Sequence, residues 1–337
     1  MFVNWKDNNA ISKIESMMKE ENSKTNMYWF ILPAFLKTNY GKFKKWAIEA
    51  SVPKITQMTV DTTLKKKGFA SVITKILIQM ASKIGNAPWA PKPPKASGDK
   101  TMIIGVDTAA DKVNNGTVVA FVATTASDYT HFYSSTCLQK GTDEFTGKAG
   151  VVVTSAIKSF YDRNKCLPEE IIILRNGCAD SQISMALETE VKEVQKGIEN
   201  ASKSSNQIPN LTYIIVDKNC NQKLFKEGGG RISNAPWGTL VNSSVVSRDY
   251  DFYLVSQGGG IGTVKPGLYK VIHSNSKMEE GVLQELLYTQ CFNYMNWSGS
   301  VKVPACLQYA KKLSTFMGQY VNSTKTNEIL NNNLYFI

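Results

Sequence analysis

The sequence has no cysteine pair at two-residue spacing. Its six cysteines, at 137, 166, 178, 220, 291 and 306, are scattered, which argues against a disulfide framework or a zinc site. It has no window approaching 18 consecutive apolar residues, so no membrane span is expected. The opening MFVNWKDNN lacks the charged-then-apolar pattern of a signal peptide. These absences predict an intracellular chain with reduced thiols, in the cytoplasm or the nucleus. The sequon at Asn322 then reads as a chance match. Arginine is missing from residues 1–100, although lysine is abundant there.

What the chain does contain begins with enough apolar residue, 42% of 337 positions, to build one large or two ordinary domains. Charge is uneven along it. Residues 1–100 carry 17 lysines against seven acids, or +10 of the total +11, and the remainder is close to neutral. Such asymmetry points to a polyanion meeting the N-terminal part, nucleic acid first among the candidates.

The stretch TMIIGVD, Thr101 to Asp107, reads as a buried strand ending in a carboxylate. A carboxylate there is costly to bury without a metal ion or hydrogen bonds to hold it. Before it lie a strand at MYWFILP, stopped by Pro33, and a helix over YGKFKKWAIEA. VPKITQMTV is extended, and a second helix runs through GFASVITKILIQMASKIG. Tyr40 and Lys44 are four residues apart on the first helix, hence on one face. Gln79 and Lys83 are spaced likewise on the second, beside an apolar stripe of Ile73, Ile76, Leu77, Met80 and Ile84. This is an α/β unit without a first half. A linker with four prolines, APWAPKPPKASGDK, follows.

From residue 101 the patterns predict three strands (101–107, 117–124, 130–139), a helix near 147–164 and a strand at 170–175. A helix near 182–203 and strands at LTYIIVD, YDFYLVSQ and GLYKVIH come next. Two helices, 279–295 and 304–321, end the series. Three meandering strands followed by alternating helices and strands is the order of a ribonuclease H-like fold. In that fold, acids at strand ends share two metal ions that clamp the oxygens of a phosphodiester.

The stretches SVPKITQ, ILIQMASKIG, MIIGVD, LPEEIIILRNG, NAPWGT, YDFYLVSQ, GTVKP, CFNYMNW and VPACLQYAKKL occur in that order. In them the chain resembles the second half of an Argonaute protein of the Piwi clade. The resemblance implies an α/β fold: a partial, Rossmann-like MID domain over 1–90, a Pro/Lys linker over 91–100, and a ribonuclease H-like PIWI domain over 101–337. It implies a small guide RNA and a complementary RNA target as partners, protein effectors, no membrane and a monomer. The family's catalytic positions fall at Asp107, Glu144 in LQKGTDEF, Asn176 in LRNG where the family has Asp, and Lys311 in QYAKKL where it has His. An amide in place of a carboxylate weakens metal attraction, and an ammonium repels Mg²⁺. Lys311 is expected to pair with Asp107 or Glu144 instead, so that cutting is lost and no catalytic metal pair is held. Asp180 is a poor substitute, and His131 and His273 match no family position. The guide's 5′ phosphate is implied to meet Tyr40, Lys44, Gln57, Gln79 and Lys83, with one Mg²⁺ shared by Gln79 and the carboxylate of Ile337. Arg175 and Lys265 are further candidates for guide phosphates. Two alternatives stay open: a residual metal-dependent endoribonuclease, and a truncated fragment acting only through protein contacts.

Overall fold

The computed structural model describes residues 27–50, 52–65, 67–111, 113–141, 145–205, 207–248, 250–258, 262–321 and 327–337, with isolated positions before 27. Glu144 and Asn322 lie outside these described residues.

An eight-stranded mixed sheet organises the chain. Strands β3 (Thr101–Asp111), β4 (Gly116–Thr124) and β5 (Phe132–Lys140) form the expected antiparallel meander. Strands β6 (Glu170–Asn176) and β7 (Asn210–Asp217) then add in parallel, β6 against β3 and β7 against β6. Counting from β5 gives the order β5-β4-β3-β6-β7, the five-stranded core of the ribonuclease H-like fold. Three antiparallel strands extend the β7 edge: β12 (Gly267–Ser274), β11 (Phe252–Val255) and β10 (Thr239–Val241). A small hairpin, β8 (Phe225–Gly228) and β9 (Arg231–Asn234), stands apart and is exposed along almost its whole length. Its alternation carries no apolar face, which is why the sequence patterns miss it.

Each sheet face buries its own layer. Met102, Ile104, Val106, Ile171, Ile173 and Ile215 meet the helices α3 (Ala149–Asn164) and α4 (Lys192–Ser202). Those two helices cross at Gly150 and Gly197, where a Cβ on Gly197 would stand 2.3 Å from the Gly150 carbonyl oxygen. Ile103, Ile172, Leu174, Ile214 and Val216 face the other way. They pack with α5 (Glu280–Gln290), α6 (Ala305–Phe316) and the terminal Leu334, Tyr335 and Phe336. Period-two alternation therefore assigns Asp107, Asn176 and Lys218 to the α6 side, and Arg175 to the opposite side.

The N-terminal unit is smaller. Strands β1 (Met27–Leu32) and β2 (Ile55–Val60) pair in parallel, with α1 (Tyr40–Glu49) between them in sequence and α2 (Phe69–Lys83) after them. A two-stranded sheet covers little of α2. Of the expected stripe only Ile76 is buried, while Leu77 and Ile84 are exposed at 53% and 43%. The unit leans on the larger body through Tyr40, whose ring meets Tyr320 edge-on at 5.1 Å. The proline-rich stretch is laid against that body as well. The Trp89 indole donates to the Phe292 carbonyl at 2.9 Å, and the Thr101 hydroxyl donates to the carbonyl of buried Ser97 at 2.6 Å. Among the described residues no helix is long and apolar enough to cross a membrane.

Candidate nucleic-acid interface

Five of the six residues assigned to the guide's phosphate end converge. Helices α1 and α2 point Lys44 and Lys83 at β2, and both side chains are almost fully buried, at 3% and 2% exposed. Both ammoniums donate to one carbonyl, that of Thr56, at 2.9 and 3.0 Å. Lys44 also reaches the Thr56 hydroxyl at 2.9 Å, and Lys83 reaches Gln57 Oε1 at 2.8 Å. The Gln57 amide donates to Gln79 Oε1 at 3.2 Å, and the Gln79 amide donates in turn to Asn296. The Lys44 ammonium also lies 5.6 Å from the centre of the Tyr40 ring.

Among the described residues no carboxylate contacts either lysine, and the energetics of the pocket follow from that. Burial pulls Lys44 down to about 7. Lys83 is pulled well below the ordinary lysine value, first by burial and then by the charges of Lys44 and of Lys312, an α6 residue. Burial and Tyr320 push the Tyr40 phenol up to about 12, so it stays protonated. Two buried amines with nothing anionic beside them await a dianion. A consequence can be measured without ligand. The folded state binds fewer protons at these lysines than the unfolded chain, whose lysines titrate near 10.5. The cost is complete below pH 7 and is relieved as pH climbs toward 10.5, so stability rises through that window. We expect the thermal midpoint of Lys44→Met, scanned from about pH 6 to about pH 9, to exceed the parent's most at the acid end.

The sixth residue, Ile337, packs against the same core cluster as Tyr40 and Ile55. It is half-buried, its amide donating to Leu334 O at 3.3 Å. Gln79 Oε1 accepts one hydrogen bond, from Gln57, which leaves it a second lone pair.

Where the pairing of β3 with β6 ends, Asp107, Asn176 and Lys218 meet on the α6 face; β3 itself runs four residues beyond the expected strand end, to Asp111, held by its pairing with β4. Asp107 is 2% exposed. The Asn176 amide donates to Asp107 Oδ1 at 3.2 Å, and the Lys218 ammonium lies 3.7 Å from Asp107 Oδ2. Beside a carboxylate the Asn176 side chain must present its NH₂, so its oxygen turns away. Burial, countered in part by Asp107, pulls Lys218 down to about 8, and Lys311 adds to the depression. The cation on Asp107 is thus Lys218, which corrects the expected pairing of Asp107 with Lys311; Lys311 is exposed on α6, and its other expected partner, Glu144, lies outside the described residues. Lys218 follows its strand by one residue with the parity of Ile214 and Val216, a signal present in the sequence. No group of three His, Cys, Asp or Glu able to hold a metal occurs among the described residues. Asp107 Oδ1 accepts from the Thr108 and Asn176 nitrogens, while Oδ2 has no hydrogen-bond donor and faces the Lys218 ammonium. One carboxylate beside an amide and an ammonium is a poor donor set for a pair of divalent cations among the described residues.

Arg175 is a second correction. It is 2% exposed on the opposite face, 3.4 Å from Glu190 Oε1, with its guanidinium over the Phe145 ring at 5.4 Å and Nη1 donating to Asn176 O at 2.9 Å. Glu190 also accepts from the Tyr213 hydroxyl at 2.5 Å and from the Thr146 amide at 3.3 Å. Arg175 therefore braces the loop at 145–146 from below and is closed to RNA. Lys265 is exposed. Asp180 is bonded to Lys270 at 2.6 Å, which holds its carboxyl below the usual range. His131 bonds Thr130 and His273 bonds Gln195, both away from the site.

Fold and buried strand acid together define a ribonuclease H-like protein of the Argonaute type. The family model described as Piwi domain matches residues 27–322, and the chain belongs to that family. It is 33% identical to Piwi-like protein 1 of Gallus gallus over 93% of its length, and 32% identical to Protein argonaute-3 of Drosophila melanogaster over 96%. It spans 36% of each of those relatives. Drosophila Piwi superposes with a TM-score of 0.85 at 27% identity, covering 96% of this chain and 44% of that one. The C-terminal lobe of a budding yeast Argonaute gives 0.84 at 18% identity, over 97% and 72%.

Proposed function

We propose that this chain holds a small guide RNA by its 5′ phosphate, pairs it with complementary RNA and does not cut, serving RNA-mediated silencing through bound protein effectors. The observation that carries this reading is the pair of buried ammoniums, Lys44 and Lys83, converging on one carbonyl beside Tyr40, Gln57 and Gln79. A terminal phosphate dianion satisfies both amines at once, and Tyr40 is placed to stack on a splayed first base. A solved Argonaute of the same fold, from Kluyveromyces polysporus, carries a guide RNA. Loss of cutting is supported by the amide of Asn176 on Asp107 Oδ1 and by the Lys218 cation facing Oδ2, which repels a metal ion at that oxygen.

The test is a filter-binding titration of one short RNA with a 5′ phosphate or a 5′ hydroxyl, in Mg²⁺ and at two salt concentrations. A labelled complementary strand in the same tubes reports cleavage. Preference for the phosphorylated RNA with an intact target is expected. Equal, weak binding of both RNAs would favour a fragment acting through protein contacts. A metal-dependent cut at one fixed position would establish a residual endoribonuclease.

A further inference from the structure

The charge around Asp107 is arranged as though the metal site had been rebuilt in lysine. Lys218 sits inside, its ammonium buried, 3.7 Å from Asp107 and without a hydrogen bond among the described residues. Lys302 lies beside it, its ammonium donating to the Lys218 carbonyl. Exposed Lys311 on α6 and exposed Lys265 complete the rim, near enough that Lys311 acts on Lys218 and Lys265 on Lys302. The acids facing this group among the described residues are Asp107 and Asp217, leaving four ammoniums against two carboxylates.

We propose that this pocket is a metal-independent phosphate cradle, in which Lys218 neutralises Asp107 from within and Lys311, Lys302 and Lys265 hold the phosphodiester backbone of an RNA duplex. In a cutting enzyme two cations at this place both neutralise the carboxylates and attract the phosphate. Here the residues do not fit such a pair, and lysines perform both tasks. The inner lysine removes the anion that would repel RNA, and the rim supplies point charges that suit phosphate without reading sequence. No bond is broken, because no activated water is generated. The proposal rests on the preceding reading only in that the chain carries a guide paired with complementary RNA; the seating of that duplex on these lysines is the proposal itself.

The test uses the whole chain and a blunt RNA duplex with 5′-hydroxyl ends, so that the Lys44–Lys83 pocket takes no part. Fluorescence anisotropy then gives affinity in EDTA and in Mg²⁺ over a salt series. The parent protein is expected to bind equally in both. Lys311→Met should bind about 3–10-fold more weakly, its salt slope lower by about one phosphate contact. Lys218→Met bares Asp107 and should bind about tenfold more weakly in EDTA, with Mg²⁺ restoring affinity by taking the vacated place. Tenfold tighter binding of the parent on adding Mg²⁺ overturns the proposal. So does a Lys311→Met protein with parental affinity and slope, or a Lys218→Met protein that binds as the parent does. Should Lys218→Met not fold, the exposed Lys311→Met decides alone. Failure of the guide reading shows up separately, as equal binding of 5′-phosphate and 5′-hydroxyl single strands.

Discussion

Lys83→Met is expected to weaken binding of a 5′-phosphorylated RNA about 100-fold, or about 2.7 kcal/mol, while a 5′-hydroxyl RNA changes less than about twofold. Truncating one partner of a buried, charge-assisted contact costs roughly 2–5 kcal/mol, and this amine is among the most enclosed groups in the molecule. Methionine keeps the length and apolar stem of lysine, so the comparison isolates the charge. Stability of the RNA-free protein should hold or rise, because an unpaired cation leaves the interior. Lys44→Met should act in the same direction. The double variant should lose less than the two losses combined, since both amines meet one carbonyl and would meet one phosphate. Unchanged affinity for phosphorylated RNA in Lys83→Met would remove the pocket from consideration as the phosphate site.

Gly105→Ala is expected to destabilise the fold by about 3 kcal/mol, at the upper end of overpacking costs. Strand β3 and helix α6 touch at this residue. A Cβ there would stand 2.3 Å from the carbonyl carbon of Cys306 and 2.4 Å from the Leu307 nitrogen. Those are backbone atoms in the first turn of a helix whose Tyr309, Ala310 and Leu313 are fully buried. No rotamer change relieves the clash, so the helix must move, and with it Lys311 and Lys312. A urea midpoint measured beside Gly147→Ala, where a Cβ meets nothing within 4 Å, provides the comparison, the control staying within about 0.5 kcal/mol of the parent. Equal midpoints for the two variants would mean that α6 is not seated on β3 as described.

Much of the α/β order could be read from the residues because the core strands contain short apolar runs, as in Glu170–Asn176 and the first half of Thr101–Asp111, whose polar second half the pattern missed. The convergence of Lys44 and Lys83 was legible for a different reason. Tyr40 with Lys44, and Gln79 with Lys83, are spaced by one helical turn, and spacing survives without tertiary information. What could not be read was which layer a polar strand-end residue would meet. Parallel strands are apolar on both faces, so period-two alternation carries no contrast between inside and outside. Arg175 and Asn176 are neighbours in sequence, yet one is buried against Glu190 under α4's side of the sheet and the other bonds Asp107 on the α6 side. The parity of Lys218 with Ile214 and Val216 puts it on the face of Asp107, but sequence does not give the order of the strands that brings the two side by side. Lys218 and Lys311 are both plausible along the chain, and only the junction of β3, β6 and β7 selects the first.

The residues alone thus carried the element types, the strand-end acid, the spacing of the lysines and the departures at Asn176 and Lys311. The packing of three parallel strands decided that a buried ammonium, 3.7 Å away, faces that acid. The packing of two helices over β2 decided that Lys44 and Lys83 share the Thr56 carbonyl. Both outcomes depend on backbone groups and charges brought together from distant parts of the chain. Local propensity and periodicity report only what lies within a turn or a strand, whereas the energy of a buried charge depends on everything around it.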